Sequence, residues 1–127
     1  QRQMCIRDSS GGSGDDPLAC AAACEVFRQL ECGLLSHVKS VGDALCEGLN
    51  NLSHYNCVRE CRGVGLMAAV EFTSADVCAR VAAKVQAAGY LPGCTGNVLF
   101  CKPPYVITME QVQGFIKALS DALEQEN

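Results

Sequence analysis

Apolar positions recur along most of the chain with a helical period, broken once by a stretch in which they alternate. Leu34, Val38, Val41, Leu45, Leu49 and Leu52 follow one another at spacings of four, three, four, four and three. Such a stripe lies on one face of a helix with 3.6 residues per turn and predicts burial of that face. An earlier helix is predicted from Asp16 as N-cap and Pro17 at the first helical position, where proline lacks only an N–H that would be unpaired anyway. Gly33 is its natural stop. Ala19, Ala22, Ala23, Val26, Phe27 and Leu30 line it, and the small side chains of its first two turns permit another backbone to approach closely. "CVRECRGVGLMAAVEF" then changes the period. It predicts two short strands around Gly63 and Gly65, with Val64, Leu66, Ala68 and Val70 alternating in the second.

Further on, Ser74 can cap a third helix that carries Val77, Val81, Val85 and Ala88 and ends at Gly89. "NVLFC" is a strand, stopped at "KPPY" because proline cannot donate into a ladder. Thr108 and Gln111 form a capping box that opens a last helix, with Val112, Phe115, Ile116, Leu119 and Leu123 on one face. The order helix, helix, strand, strand, helix, strand, helix predicts an α+β fold, a small and mainly antiparallel sheet covered by helices. Residues 1–14 have no periodicity and end in a glycine-serine run, so they read as a disordered leader. Its first part, "QRQMCIRDS", resembles a translated sequencing-adapter remnant, a non-native artefact. The domain is expected over residues 15–127.

Composition narrows the partners. Charged residues are 19% of the chain and the formal net charge is −4, which does not suit a phosphate-backbone ligand, so no nucleic-acid partner is expected. The uncharged stretch from Val85 to Cys101 is interrupted by Gly89, Pro92, Gly93, Gly96 and Asn97, so no membrane span is expected. With no basic and apolar leader, an intracellular place, cytoplasm or organelle, is expected.

Ten cysteines raise the question of a thiol or metal protein. Most fall inside periodic elements, which reads as a reducing compartment with cysteines packed as small hydrophobes. Cys20 and Cys24 share a helix face, but a zinc site needs about four ligands with clustered C-x2-C spacing. No such pair exists, and His37 and His54 lie in unrelated segments. No metal site is therefore expected. "GVG" at 63–65 is followed by strand character, so it reads as a tight turn and not a phosphate loop. His37 reads as a solvated surface histidine. Lys102, beside Pro103 and Pro104, reads as a solvated cation on a structured turn, with contact to an anionic ligand as the alternative. The residues supply no complete catalytic set.

Three segments in order, "PLACAA" (17–22), "RGVGLM" (62–67) and "PPYVIT" (103–108), resemble the C-terminal part of class III pyridoxal-phosphate aminotransferases, the ω-aminotransferase group. The resemblance runs from Ser13 to Glu126. It implies the small domain of a fold-type I pyridoxal 5'-phosphate enzyme, with the large cofactor-binding domain absent. In the family that large domain carries the Schiff-base lysine and the aspartate facing the pyridine nitrogen. Lys39, Lys84, Lys102 and Lys117 all fall in small-domain motifs, so no catalytic residue is assigned and the chain is expected to be inactive alone. The whole protein is expected to be a homodimer that moves an amino group from an amine or ω-amino acid to a keto acid or aldehyde.

The departures from the family pattern are informative. A family threonine that meets the cofactor phosphate of the partner subunit is replaced here by the neighbourhood of Gly11 and Gly12, leaving Ser13 and Gly14 as cofactor-side candidates. A family arginine that takes a substrate carboxylate as a planar bidentate donor is matched here by Phe100. That disfavours a plain α-carboxylate held from this position and leaves a diaminopelargonate-type substrate open. The resemblance places the "CKPPY" turn at one wall of the substrate pocket, with Phe100, Lys102 and Tyr105 as candidates. Core packing is the alternative for Phe100 and Tyr105. A rival reading is a non-catalytic α+β module for binding or dimerisation. The first helix is expected to pack on the large domain.

Overall fold

A computed structural model describes residues 16–126. Ser13 and Gly14, Cys5 and the whole leader lie outside the described residues. The chain divides into two compact units, Gln1–Leu35 and Ser36–Asn127.

In the first unit, α1 spans Pro17–Gln29. Asp16 is extended, and its carboxylate accepts the Leu18 N–H at 3.0 Å, satisfying one of the donors that a helix start leaves open. Glu25 accepts from Arg28 Nε at 2.9 Å, Arg28 Nη2 at 2.7 Å and Gln29 Nε2 at 3.0 Å. Leu30–Leu34 is a widened turn in which Cys32 and Gly33 leave helical geometry, and Gly33 reaches φ 109°. Gly33 thus acts as the stop, and the backbone re-enters a helix directly without a loop. No residue of α1 is buried, and Leu18 and Phe27 are exposed.

The second unit contains α2 (Leu35–Asn50), β1 (Val58–Val64), β2 (Met67–Phe72), α3 (Ala75–Ala87), β3 (Gly93–Thr95), β4 (Val98–Cys101) and α4 (Met109–Glu124). The four strands form one sheet in the order β1-β2-β4-β3, every pair antiparallel. β1 and β2 are joined at Val64↔Met67 through Gly65, whose φ of 56° suits the tight turn. β3 is an addition to the expected order. Three residues are too few to show alternation, and its pairing is supplied by β4 across the Gly96 turn.

Along β2, Ala68, Val70 and Phe72 are buried while Met67 is exposed, so one face of the sheet is inside. Val64 belongs to β1 and is exposed, which corrects its place in the expected buried alternation. The inner face meets Val41, Leu45 and Leu49 of α2, Cys78, Val81 and Val85 of α3, and Val112, Phe115, Leu119 and Leu123 of α4 in one cluster. Each large side chain so buried contributes roughly 1.5–3 kcal/mol. Ser74 caps α3 by accepting the Val77 N–H at 3.3 Å, and Thr108 and Gln111 complete the capping box on α4. α2 approaches the hairpin so closely that a Cβ on Gly42 would stand 2.6 Å from the carbonyl carbon of Gly65.

The cysteines split. Cys57 and Cys78 are buried, as packed hydrophobes should be, but Cys20, Cys24, Cys32 and Cys94 are exposed. The first three belong to the unit with no buried helical face, and Cys94 sits on an edge strand, so the packing expectation fails for these four.

Candidate functional site: the outer face of the sheet and the proline turn

Opposite the helices, the outer face of the sheet is an open groove of about 610 Å³. Its floor follows from strand register. Phe100 on β4 pairs with Ala69 on β2 and with Gly93 on β3. Small residues on both sides leave room for the ring, and a Cβ on Gly93 would collide with it. Val64 and Met67, paired at the hairpin end, add exposed apolar surface. At the edge, Lys102 Nζ lies 5.3 Å from the Phe100 ring centroid, within cation–π range.

Arg62 borders the same groove and is held by two carboxylates, Glu60 at 3.1 Å and Glu71 at 3.0 Å, with Arg59 3.7 Å from Glu71. The hydrogen bond to Glu71 is the main reason the Arg62 guanidinium is pushed above its ordinary range, and that to Arg62 the main reason Glu71 is held below the usual carboxylate value. These are solvent-facing pairs, so they orient side chains more than they stabilise the fold.

A second cavity, about 330 Å³, lies between the loop at Tyr90–Pro92, the proline turn and α4. Lys102 and Cys101 border both cavities. Burial pushes the Cys101 thiol up to about 11, so it stays protonated at neutral pH and is a poor nucleophile. Neither cavity is lined by a histidine or a carboxylate. The arrangement can bind an apolar or weakly anionic group; it offers no acid–base pair.

The structure brings Phe100 and Lys102 together and places Tyr105 elsewhere. Pro104, Tyr105, Val106 and Ile107 form a turn closed by Ile107 N–H donating to the Pro104 carbonyl at 3.0 Å, and Tyr105 is exposed at its tip. Tyr105 lines neither cavity. The reading of His37 as a solvated residue is corrected. It is half-buried, and its Nε2 lies 2.8 Å from the Ile107 carbonyl. A carbonyl only accepts, so Nε2 carries the proton and fastens α2 to the end of the turn. No local signal could have shown this, because the partners lie 70 residues apart. Arg62 and Met67 were missed as groove residues for the same reason: they reach it through cross-strand register.

Comparison with known proteins agrees with this fold. The pattern of the aminotransferase class-III family matches residues 2–123. The chain belongs to the class-III aminotransferases. It is similar to an acetylornithine aminotransferase of Methanocaldococcus jannaschii, 34% identical over 88% of this chain and 28% of that protein. Among solved structures, it matches a transaminase described with L-ala at TM-score 0.79 and 28% identity, covering 87% of this chain and 29% of that one. It also matches a pyridoxal-phosphate-bound amine transaminase from an uncultivated Pseudomonas species at TM-score 0.76 and 31% identity, over 86% and 28% of the two chains. The chain therefore spans less than a third of the length of these relatives.

Pyridoxal phosphate has no complete seat among the described residues. Lys84 is committed to Glu126 at 2.7 Å, Lys102 lies over Phe100, and Lys39 and Lys117 are exposed. No cavity-lining acid near Phe100 could face a pyridine nitrogen.

Proposed function

We propose that residues 15–127 are the C-terminal small domain of a homodimeric, intracellular pyridoxal-phosphate aminotransferase, and that the outer sheet face is one wall of its substrate pocket. The observation that carries this reading is the apolar groove centred on Phe100, bordered by the cations Lys102 and Arg62, on the sheet face opposite α2, α3 and α4. In this reading the cofactor is held by protein outside the described residues, with Ser13 and Gly14 on its phosphate side. The role of this domain is to shape the pocket and exclude water. The donor is an amine or ω-amino acid, a class that includes the N-acetylated diamino acid in the relative's name, and the acceptor is a keto acid or aldehyde. In the same reading, a diaminopelargonate-type substrate is the narrower candidate. The isolated chain is inactive.

The test is a transamination assay on the natural full-length polypeptide loaded with pyridoxal phosphate, offered an ω-amino acid and a 2-keto acid. Turnover is expected there and not in the 127-residue chain. Phe100→Ala should raise the donor KM about tenfold, the scale of a lost apolar contact. No turnover in the full-length polypeptide would favour a non-catalytic binding or dimerisation module. Turnover by the short chain alone would overturn the reading, and an unchanged KM would remove Phe100 from the wall.

A further inference from the structure

Two cysteines meet where α3 crosses β3. Cys78 is fully buried on the first turn of α3, and Cys94 is exposed on the edge strand, yet their sulfurs are 2.8 Å apart. The meeting follows from register. Cys94 pairs with Leu99, which is buried on the inner face, so Cys94 points inward towards the helix. We propose that Cys78 and Cys94 are an oxidisable pair, a disulfide-forming modification site that ties α3 to the edge strand beside the groove.

A disulfide bond is about 2.05 Å long, so closing the pair asks for a sulfur movement under 1 Å. The two thiols have divided roles. Cys94 is reached from solvent and meets the oxidant first. Cys78 is protected by burial, which together with the Cys94 contact pushes it up to about 12 and makes it a slow nucleophile that is not itself attacked. Its part in closing the bond rests on proximity, its sulfur already lying 2.8 Å from that of Cys94. With a low-molecular-weight disulfide such as glutathione disulfide, the Cys94 thiol forms a mixed disulfide and releases one thiol. The Cys78 sulfur then attacks the Cys94 sulfur and releases the second, which takes the Cys78 proton. Two protein thiols are oxidised, and one small disulfide is reduced to two thiols.

The bond would act on the groove through one neighbour. Gly93, adjacent to Cys94, lies beneath the Phe100 ring, so fixing β3 fixes the seat of that ring. This consequence rests on the groove reading above; the cross-link itself does not.

The experiment treats the full 127-residue chain with glutathione disulfide under native conditions, blocks remaining thiols and maps peptides by mass spectrometry. A Cys78–Cys94 cross-linked peptide is expected, with Cys57 still reduced. The closed loop should raise the melting temperature by on the order of 10 °C, reversed by dithiothreitol. Cys94→Ser, at an exposed site, should fold normally and lose both the cross-link and the shift. In a Cys20→Ser/Cys24→Ser/Cys32→Ser background both should persist. A stable mixed disulfide on Cys94 without cross-link, or the same shift in Cys94→Ser, would overturn the proposal.

Discussion

The two units of the chain are built from equally helical sequence and end up in opposite states. α2 and α4 bury Leu45, Leu49, Phe115 and Leu119, whereas α1, with an Asp16 N-cap and a proline start of its own, has no buried residue. Its Leu18 is 78% exposed and its Phe27 67%. Local signals of capping and propensity suffice to specify a helix; they do not say whether a face is covered. The polar contacts follow the same division. The Glu25–Arg28 pair is local, three residues apart, while Glu126 joins Arg80 and Lys84 across more than forty residues. The side-chain contacts described for α1 are local to it, and those that stabilise the second unit are tertiary.

The largest test of this contrast is a pair of truncations. Phe72→Ala should cost about 3–5 kcal/mol of unfolding free energy, since a fully buried ring leaves a cavity, and Phe27→Ala under about 0.5 kcal/mol. Urea denaturation of both variants decides it; equal losses would mean that the exposed helix carries hidden tertiary contacts. Next in size, Gly42→Ala should cost about 1–3 kcal/mol, because the new methyl meets backbone with no side chain to give way. A thermal melt reads this, and an unchanged midpoint would show the hairpin free to shift.

Smaller still is the comparison of caps. Thr108→Ala and Asp16→Ala each remove one capping acceptor, worth about 1 kcal/mol. Only the first should move the cooperative midpoint; the second should lower the helical circular-dichroism signal and leave that midpoint in place. The smallest effect is in acid. Glu126 is held down to about 2, first by Arg80 and then by Lys84, and Glu25 also to about 2, first by Arg28 and then by Gln29. A folded value below the ordinary 4.5 means that the contribution is present above that pH and is lost as pH falls from 4.5 through about 2. Glu126→Gln should therefore flatten the acid limb of the melting curve, and Glu25→Gln should leave it unchanged.

Much of this architecture is legible in the sequence because it is local. The capping box at Thr108, the Ser74 cap, the Asp16–Pro17 start and the stripe from Val41 to Leu49 all reappear in the structure. β3 was not legible, since Gly93–Thr95 is a strand only by virtue of its partner. Cysteine placement was half legible. The α3 stripe of Val77, Val81 and Val85 leaves Cys78 beside it, inside, but nothing in "PLACAAAC" tells whether its helix face is covered. At the groove, Lys102 is marked by the paired prolines beside it, and Phe100 by the family resemblance, where it matches an arginine. Arg62, Met67 and the His37 tie depended on contacts made at long range.

The meeting of Gly42 with Gly65 also acts as a gauge for the hairpin. A one-residue slip of β1 against β2 would carry Val64 or Leu66 into the turn position, where φ is positive and an L side chain is strained. The helix rests on the backbone of that turn, Gly42 against Gly65, although it makes no hydrogen bond in the sheet ladder. The seat of α2 thus depends on where the turn falls as well as on the apolar face that the helix covers.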